Sequence, residues 1–242
     1  MRDIRWRLVN ALQLMYTVSW TAGWITAALF VSAITRHRSL GLGMARRIWA
    51  PGLLWGAGAR LEVEGLDRME SHRPYLVVAN HLSMMDVPVL FRALDRPLRF
   101  VAKRELGRLP FLGWYMRAMG MVLVERHVAA AARASVDETT AHLEAGETVV
   151  SFPEGTRGSA QQMRPFKTGG FEAAFIAKAA VLPVAIAGSA SVLPPGGFAV
   201  RPGLIRVKVG EPIHPGSVAG RGALAQAAEE AVRALYEELT SH

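Results

Sequence analysis

From residue 60 onward, short runs rich in apolar and β-branched residues alternate with stretches of helical spacing. The runs Leu61–Glu64, Tyr75–Ala79, Leu98–Ala102, Met121–Val124, Thr148–Phe152, Leu182–Ala187 and Ile205–Val209 read as strands. Helices are expected near 86–95, 108–118, 128–145 and 168–179. A final one, about 219–240, carries Leu224, Ala228, Ala231, Leu235 and Leu239 at helical intervals. Strand and helix in alternation imply βαβ units. The fold expected is α/β, a mostly parallel sheet flanked by helices. No internal repeat or low-complexity tract interrupts it.

Ahead of this body the texture differs. Residues 8–35 contain no Lys, Arg, Asp or Glu, and the run is long enough to span a bilayer. Arg2, Arg5 and Arg7 precede it, and Val31-Ser32-Ala33 resembles a cleavage site. The apolar run is long for a signal peptide, however. Arg36, Arg38, Arg46 and Arg47 follow it, so both flanks are basic and a single span has no clear orientation. A second segment, Leu40 to Leu54, mixes apolar residues with Arg46-Arg47. Trp6, Trp20, Trp24, Trp49 and Trp55 all fall in this region, and Trp favours the membrane interface. Residues 1–58 therefore read as two membrane-associating helices, spanning or lying in the bilayer, and 59–242 as the α/β domain. The net charge of +8 on so apolar a chain fits an anionic membrane surface better than nucleic acid. With no cysteine, disulfides, thiolate nucleophiles and Cys-bound zinc are excluded.

Two strand ends carry the chemistry. The run Tyr75–Ala79 leads into Asn80-His81-Leu82-Ser83-Met84-Met85-Asp86. On one continuous helix, His81 and Asp86 would point about 140° apart, at ~100° per residue. They meet only if 81–85 is a turn and Asp86 opens the next helix. So placed, they suit a general base oriented by a carboxylate. Ser83 would stabilise the turn. The plainer alternative is that Asp86, ahead of Val87-Pro88, is only a helix cap.

The second strand end is Phe152-Pro153-Glu154-Gly155-Thr156-Arg157-Gly158. Gly155 lets backbone approach a ligand closely, and Arg157 suits bidentate phosphate binding. Glu154 fits three roles: orienting Arg157, meeting a substrate hydroxyl, or pairing with a basic residue. Lys103 and Arg126 also leave strand ends. In a parallel sheet all of these share one edge, as a phosphate-bearing substrate with a reactive hydroxyl would need. Gly41-Leu42-Gly43 lacks a third glycine and a preceding strand, so no dinucleotide loop is read there. No Gly-x-Ser-x-Gly elbow is present.

Four ordered blocks resemble the glycerolipid acyltransferase family, in particular its bacterial lysophosphatidic acid acyltransferases. They are Asn-His-x-Ser-x-x-Asp at 80–86, Gly-Met-Val-Leu-Val-Glu-Arg at 120–126, Phe-Pro-Glu-Gly-Thr-Arg at 152–157 and Leu-Pro-Val-Ala at 182–185. The likeness covers roughly 60–215 and departs at Gly158, where the family often has Ser. It implies acyl transfer from acyl-CoA or acyl carrier protein to the sn-2 hydroxyl of 1-acyl-sn-glycerol-3-phosphate, or to another lysolipid such as lyso-ornithine lipid. By that likeness His81 is the base and Asp86 its partner. Arg126 and Arg157 would hold the phosphate, with Lys103, Glu154, Gly155 and Thr156 lining the acceptor pocket. No metal or cofactor is implied. The expected setting is the cytoplasmic face of the inner membrane, with membrane lipids as partners. A non-catalytic membrane-binding protein is the alternative from another class.

Overall fold

The computed structural model describes residues 2–125, 128–156 and 163–241. The N-terminal region is helical: α1 (Arg2–Thr35), α2 (Arg38–Met44), a π-helical turn (Ala45–Trp49) and α3 (Ala50–Gly56). The expected second helix therefore forms with a different winding in its middle. Pro51 lacks the N–H that would bond four residues back, and the chain widens to π spacing just before it.

The body follows as β1 (Ala59–Glu64), β2 (Tyr75–Ala79), α4 (Asp86–Ala93), β3 (Leu98–Lys103), α5 (Leu112–Ala118), β4 (Val122–Val124), α6 (Ala129–Glu144) and β5 (Thr148–Ser151). Then come α7 (Phe171–Ile176), β6 (Ala180–Ala187), α8 (Ser189–Val192), β7 (Gly203–Val209) and α9 (Arg221–Thr240). The strands expected from the sequence form, β2 with the bounds expected and the others with an end moved by one or two residues. The helix expected over 108–118 forms only from Leu112. Pro110 disfavours helix before it, and the chain turns tightly at Phe111, where the Leu112 amide donates to the Pro110 carbonyl at 2.6 Å.

The seven strands make one sheet in the order β1-β7-β6-β2-β5-β3-β4. Neighbours pair in parallel except β6 with β7. Strands β2 to β6 thus point one way, and β1 and β7 the other. The β6–β7 pairing ends at Val184 opposite Val209; the Gly210 amide then donates to the Pro183 carbonyl, and Val181 bonds reciprocally to Ile213.

Side-chain alternation along β2 divides the core. Tyr75, Val77 and Ala79 face one layer with α4 and the N-terminal helices; Leu76 and Val78 face the other with α7 and α9. On α9 the buried stripe is Leu224, Ala228, Val232, Leu235 and Leu239; Ala231, expected on it, is half-buried beside Val232.

The N-terminal helices share this core. Trp24, Ile25, Ala28, Leu42, Ala45, Ala50 and Leu54 are buried in one cluster with residues of β2, β6 and β7. Glycines allow the close approach: a Cβ on Gly52 would lie 2.3 Å from the Trp20 ring, and one on Gly56 2.2 Å from the Tyr16 ring. Tyr16 Oη donates to the Gly52 carbonyl at 3.0 Å, and Trp20 Nε1 to the Trp49 carbonyl at 3.1 Å. The outward face of α1 stays apolar and exposed at Leu8, Leu12, Met15, Val18, Phe30 and Ile34. By length and composition, α1 is the one described helix that could cross a membrane.

Candidate active site

Asn80 continues β2 with its side chain. Its Nδ2 donates to the Ile186 carbonyl and its Oδ1 accepts the Ile186 amide, both at 2.8 Å. The clamp ties the end of β2 to β6 and sets the direction in which His81 leaves the sheet. Residues 81–85 then turn, and α4 opens at Asp86.

The imidazole Nδ1 of His81 lies 2.8 Å from Asp86 Oδ2. The same oxygen accepts the amides of Leu82 at 2.7 Å and Ser83 at 2.8 Å. Asp86 is fully buried, and its Oδ1 has no partner among the described residues. With two amide N–H groups directed at it, this oxygen acts as an acceptor. The third contact therefore makes Nδ1 the protonated ring nitrogen and leaves Nε2 with its lone pair. The carboxylate is turned back onto the preceding turn and the imidazole, a different arrangement from a cap on α4's own amides. Ser83 Oγ donates to the Leu193 carbonyl at 2.7 Å and accepts the Met85 amide at 3.1 Å, which holds the turn from within. The imidazole stacks on the Phe152 ring with centroids 4.1 Å apart and planes 16° apart. One edge hydrogen-bonded and one face stacked leave the ring little rotational freedom.

Phe152 begins the second cluster. Gly155 adopts φ +84°, a left-handed conformation that suits glycine, and its amide donates to the Phe152 carbonyl at 3.1 Å. Glu154 is buried at the base of this turn. Its Oε1 accepts the His81 amide at 2.8 Å and its Oε2 the Arg164 amide at 2.9 Å. Of the three roles open from the sequence, the geometry adds a fourth: a carboxylate brace between two loops. Burial pushes Glu154 above the ordinary carboxylate range, while the amides of Arg164 and His81 pull it back in part.

Among the described residues, the other expected positions fall on the same edge. Lys103 is the exposed last residue of β3, opposite Val124 at the end of β4. Thr156 is exposed beside Gly155. Arg126 and Arg157 lie outside the described residues. The sequence pointed to His81, Asp86 and Ser83 but assigned no role to Asn80 or Phe152. Both stand inside the blocks already quoted, each next to a residue that was singled out. Their function is to place a neighbour, and that appears only when β2, β5 and β6 are side by side.

The arrangement offers an imidazole at the end of β2 whose Nδ1 is held by a buried carboxylate. Polar and basic groups follow from neighbouring strand ends. It is suited to removing a proton from a hydroxyl.

Known proteins agree with the motifs. A family model described as Acyltransferase matches residues 60–187. The chain is 32% identical to a 1-acyl-sn-glycerol-3-phosphate acyltransferase of Pseudomonas aeruginosa, over 79% of this chain and 75% of the relative. It is 31% identical to a lyso-ornithine lipid O-acyltransferase of Brucella abortus, over 74% of this chain and 77% of the relative. With several longer curated relatives it aligns over about half to two thirds of their length, 66%, 44% and 55% in three cases. The crystal structure of the 1-acyl-sn-glycerophosphate (LPA) acyltransferase from Thermotoga maritima superposes with a TM-score of 0.88 at 28% identity, covering 100% of this chain and 99% of that one. With more than half its length matched to the family model, and a seven-stranded sheet that presents His81 and Asp86 at one edge, this chain belongs to the acyltransferase family.

Proposed function

We propose that the protein transfers an acyl chain from a thioester, acyl-CoA or acyl carrier protein, to the sn-2 hydroxyl of 1-acyl-sn-glycerol-3-phosphate, giving phosphatidic acid. The observation that carries the chemistry is the Asp86 carboxylate, which holds His81 Nδ1 at 2.8 Å. Nε2 takes the acceptor's hydroxyl proton as that oxygen attacks the thioester carbonyl. The tetrahedral intermediate collapses with cleavage of the C–S bond, and the proton passes from His81 to the departing thiolate. Asp86 stabilises the imidazolium in between. Arg126 and Arg157, with Lys103 and Thr156, are the proposed acceptor-phosphate contacts. Gly155 shapes the turn that leads into Thr156 and Arg157, and Glu154 braces it. The reading needs no metal or cofactor.

Both substrate and product of this reaction are lipids, which suits the exposed apolar face of α1 and the exposed Trp55. The inner face of α1 is hydrogen-bonded to α3 and the π-helical turn. This favours helices that embed in one leaflet while staying attached to the body. The proposed setting is the cytoplasmic side of the inner membrane, where thioester donors are available.

Labelled acyl-CoA offered with a panel of lysolipids tests the proposal. Transfer to 1-acyl-sn-glycerol-3-phosphate is expected, with about a 10³-fold loss in His81→Ala, the range for a removed general base. Absence of transfer to any glycerophosphate acceptor would sink it. Lyso-ornithine lipid belongs in the panel because of the Brucella abortus relative; preferential transfer to it would make that lipid the acceptor and leave the role of His81 standing.

A further inference from the structure

At the opposite edge of the sheet, where β2, β3 and β5 begin, lies a cavity of about 730 Å³. Five arginines and three histidines line it against one lining carboxylate, Glu147; of the arginines, Arg73 pairs with Glu70 beside the cavity and Arg96 bonds the Arg73 and Glu70 carbonyls. Its residues come from the α1–α2 junction, from the segments ahead of β2 and β3, and from the turn after α6. Strand β2 alone separates it from His81 by about 17 Å, at ~3.3 Å per residue.

The carboxylate does not neutralise this charge. Glu147 Oε1 pairs with Arg99 at 2.7 Å and Oε2 with His142 Nδ1 at 2.6 Å. Arg99 is buried, yet its Nε has no partner among the described residues, and neither does His142 Nε2. Arg38 approaches the same point. A Cβ placed on Gly120 would lie 3.3 Å from Arg99 Nε, 3.4 Å from the His142 ring and 3.5 Å from Arg38 Nη1. Two guanidiniums and an imidazole thus converge, and the Arg99 Nε–H is a donor left unfilled among the described residues. Burial lowers Arg99 from its ordinary value; Glu147 opposes that and Arg38 adds to it, as a like charge facing it would. Arg36 supplies a further charge from an unusual position. It follows the last residue of α1 at φ +57°, a left-handed conformation in which glycine would be unstrained.

We infer that this cavity is a second anion site, for a phosphomonoester group, separate from the acyl-transfer cleft. Convergent guanidiniums with a free N–H donor suit a doubly charged tetrahedral anion, and the volume admits the group the phosphate is attached to. The same chemistry has two sources, the headgroup of an anionic lipid such as phosphatidic acid or a soluble phosphate compound. Exposed Phe30 and Ile34 on the last turns of α1 lead from its apolar face to Arg36 at the rim, which gives a lipid headgroup a route in.

Hydrogen–deuterium exchange on the full chain in neutral phosphatidylcholine nanodiscs tests the inference. One arm adds phosphatidic acid to the nanodisc; the other adds inorganic phosphate or 3′-AMP to the solution. Protection of residues 36–42 and 142–148 is expected in at least one arm. Protection by phosphatidic acid alone assigns the lipid headgroup, and protection by the soluble probes assigns free phosphate. The variant Arg36→Gly/Arg38→Gln should lose that protection, with binding weakened about tenfold or more as charge-assisted hydrogen bonds are lost. The Arg36→Gly half suits the local backbone, so the fold is kept. His81→Ala should retain the protection, which separates this site from the reaction. No protection in either arm, or equal protection in the double variant, overturns the inference.

Discussion

At the scale of single residues, one oxygen of Asp86 accepts three donors while the other accepts none among the described residues. Asp86→Asn can keep the three contacts through its amide oxygen, but the –NH₂ then occupies a buried position with no acceptor and the negative charge is gone. Turnover should fall about 100-fold or more with little change in acceptor KM; unchanged turnover in steady-state assays would show that the charge is not needed. Asn80→Ala strands the buried amide and carbonyl of Ile186. At about 1–3 kcal/mol for each unsatisfied group, a stability loss of about 3 kcal/mol is expected in urea denaturation. Glu154 carries a pH signature. Its carboxyl is raised in the folded protein, so the folded state holds that proton to higher pH than the unfolded chain. Its contribution to stability is fully present below the unfolded carboxylate range and is lost as pH rises through the raised value. Melting of the wild type relative to Glu154→Gln should therefore improve on acidification; a flat difference would count against the raised carboxyl. His81 and Asp86 were legible in the sequence because their types and spacing permit one meeting geometry. The bracing role of Glu154 was not, since its two partners lie 73 and 10 residues away and are both backbone amides.

Among elements, α1 was legible as apolar and charge-free, but which of its faces is buried was not. Its seam with α3 is written in pairs distant in sequence, Tyr16 over Gly52 and Gly56, and Trp20 over Gly52. Replacing Gly52 by Leu should push the Trp20 ring aside and cost about 1–3 kcal/mol by overpacking, visible as a lower melting temperature. The opposite face predicts differently. Leu12→Glu/Met15→Glu touches no core contact and should leave stability nearly unchanged while reducing sedimentation with phospholipid vesicles. Retained sedimentation would show that this face does not meet lipid. Strand identity was legible throughout because each run is bounded by turn residues. Strand direction was not: β7 runs against β6, and nothing within its own run distinguishes it from the parallel strands.

For the whole molecule, the shared core means that the N-terminal helices are part of the folding unit. Removing 1–58 would uncover Tyr115 and Phe91, on whose rings Trp24 and Trp49 now pack within the shared cluster. The truncated chain is expected to lose cooperative unfolding by circular dichroism, and a sharp transition near the full-length one would show an independent α/β domain. The clustering of strand ends at one edge followed from the parallel pattern. The basic cavity at the other edge could not be read in advance, because Arg38, Arg99 and His142 belong to three separate segments that only the closed sheet brings together.

Pro183 accepts a hydrogen bond from Gly210 but has no amide hydrogen to return. In the middle of an interior strand that is a gap in the ladder, and it acts as a stop. The partner chain pairs with β6 above it, from Val184 to Ala187, and below it at Val181, but passes the proline without continuous pairing. β7 therefore has one place to settle. A slip by a single residue would turn Ile205, Val207 and Val209 out of the core. It would also move the strand that flanks Ile186, the residue Asn80 grips to aim His81. A missing hydrogen in the centre of the sheet is thus a reference mark from which the position of the His81 turn is measured.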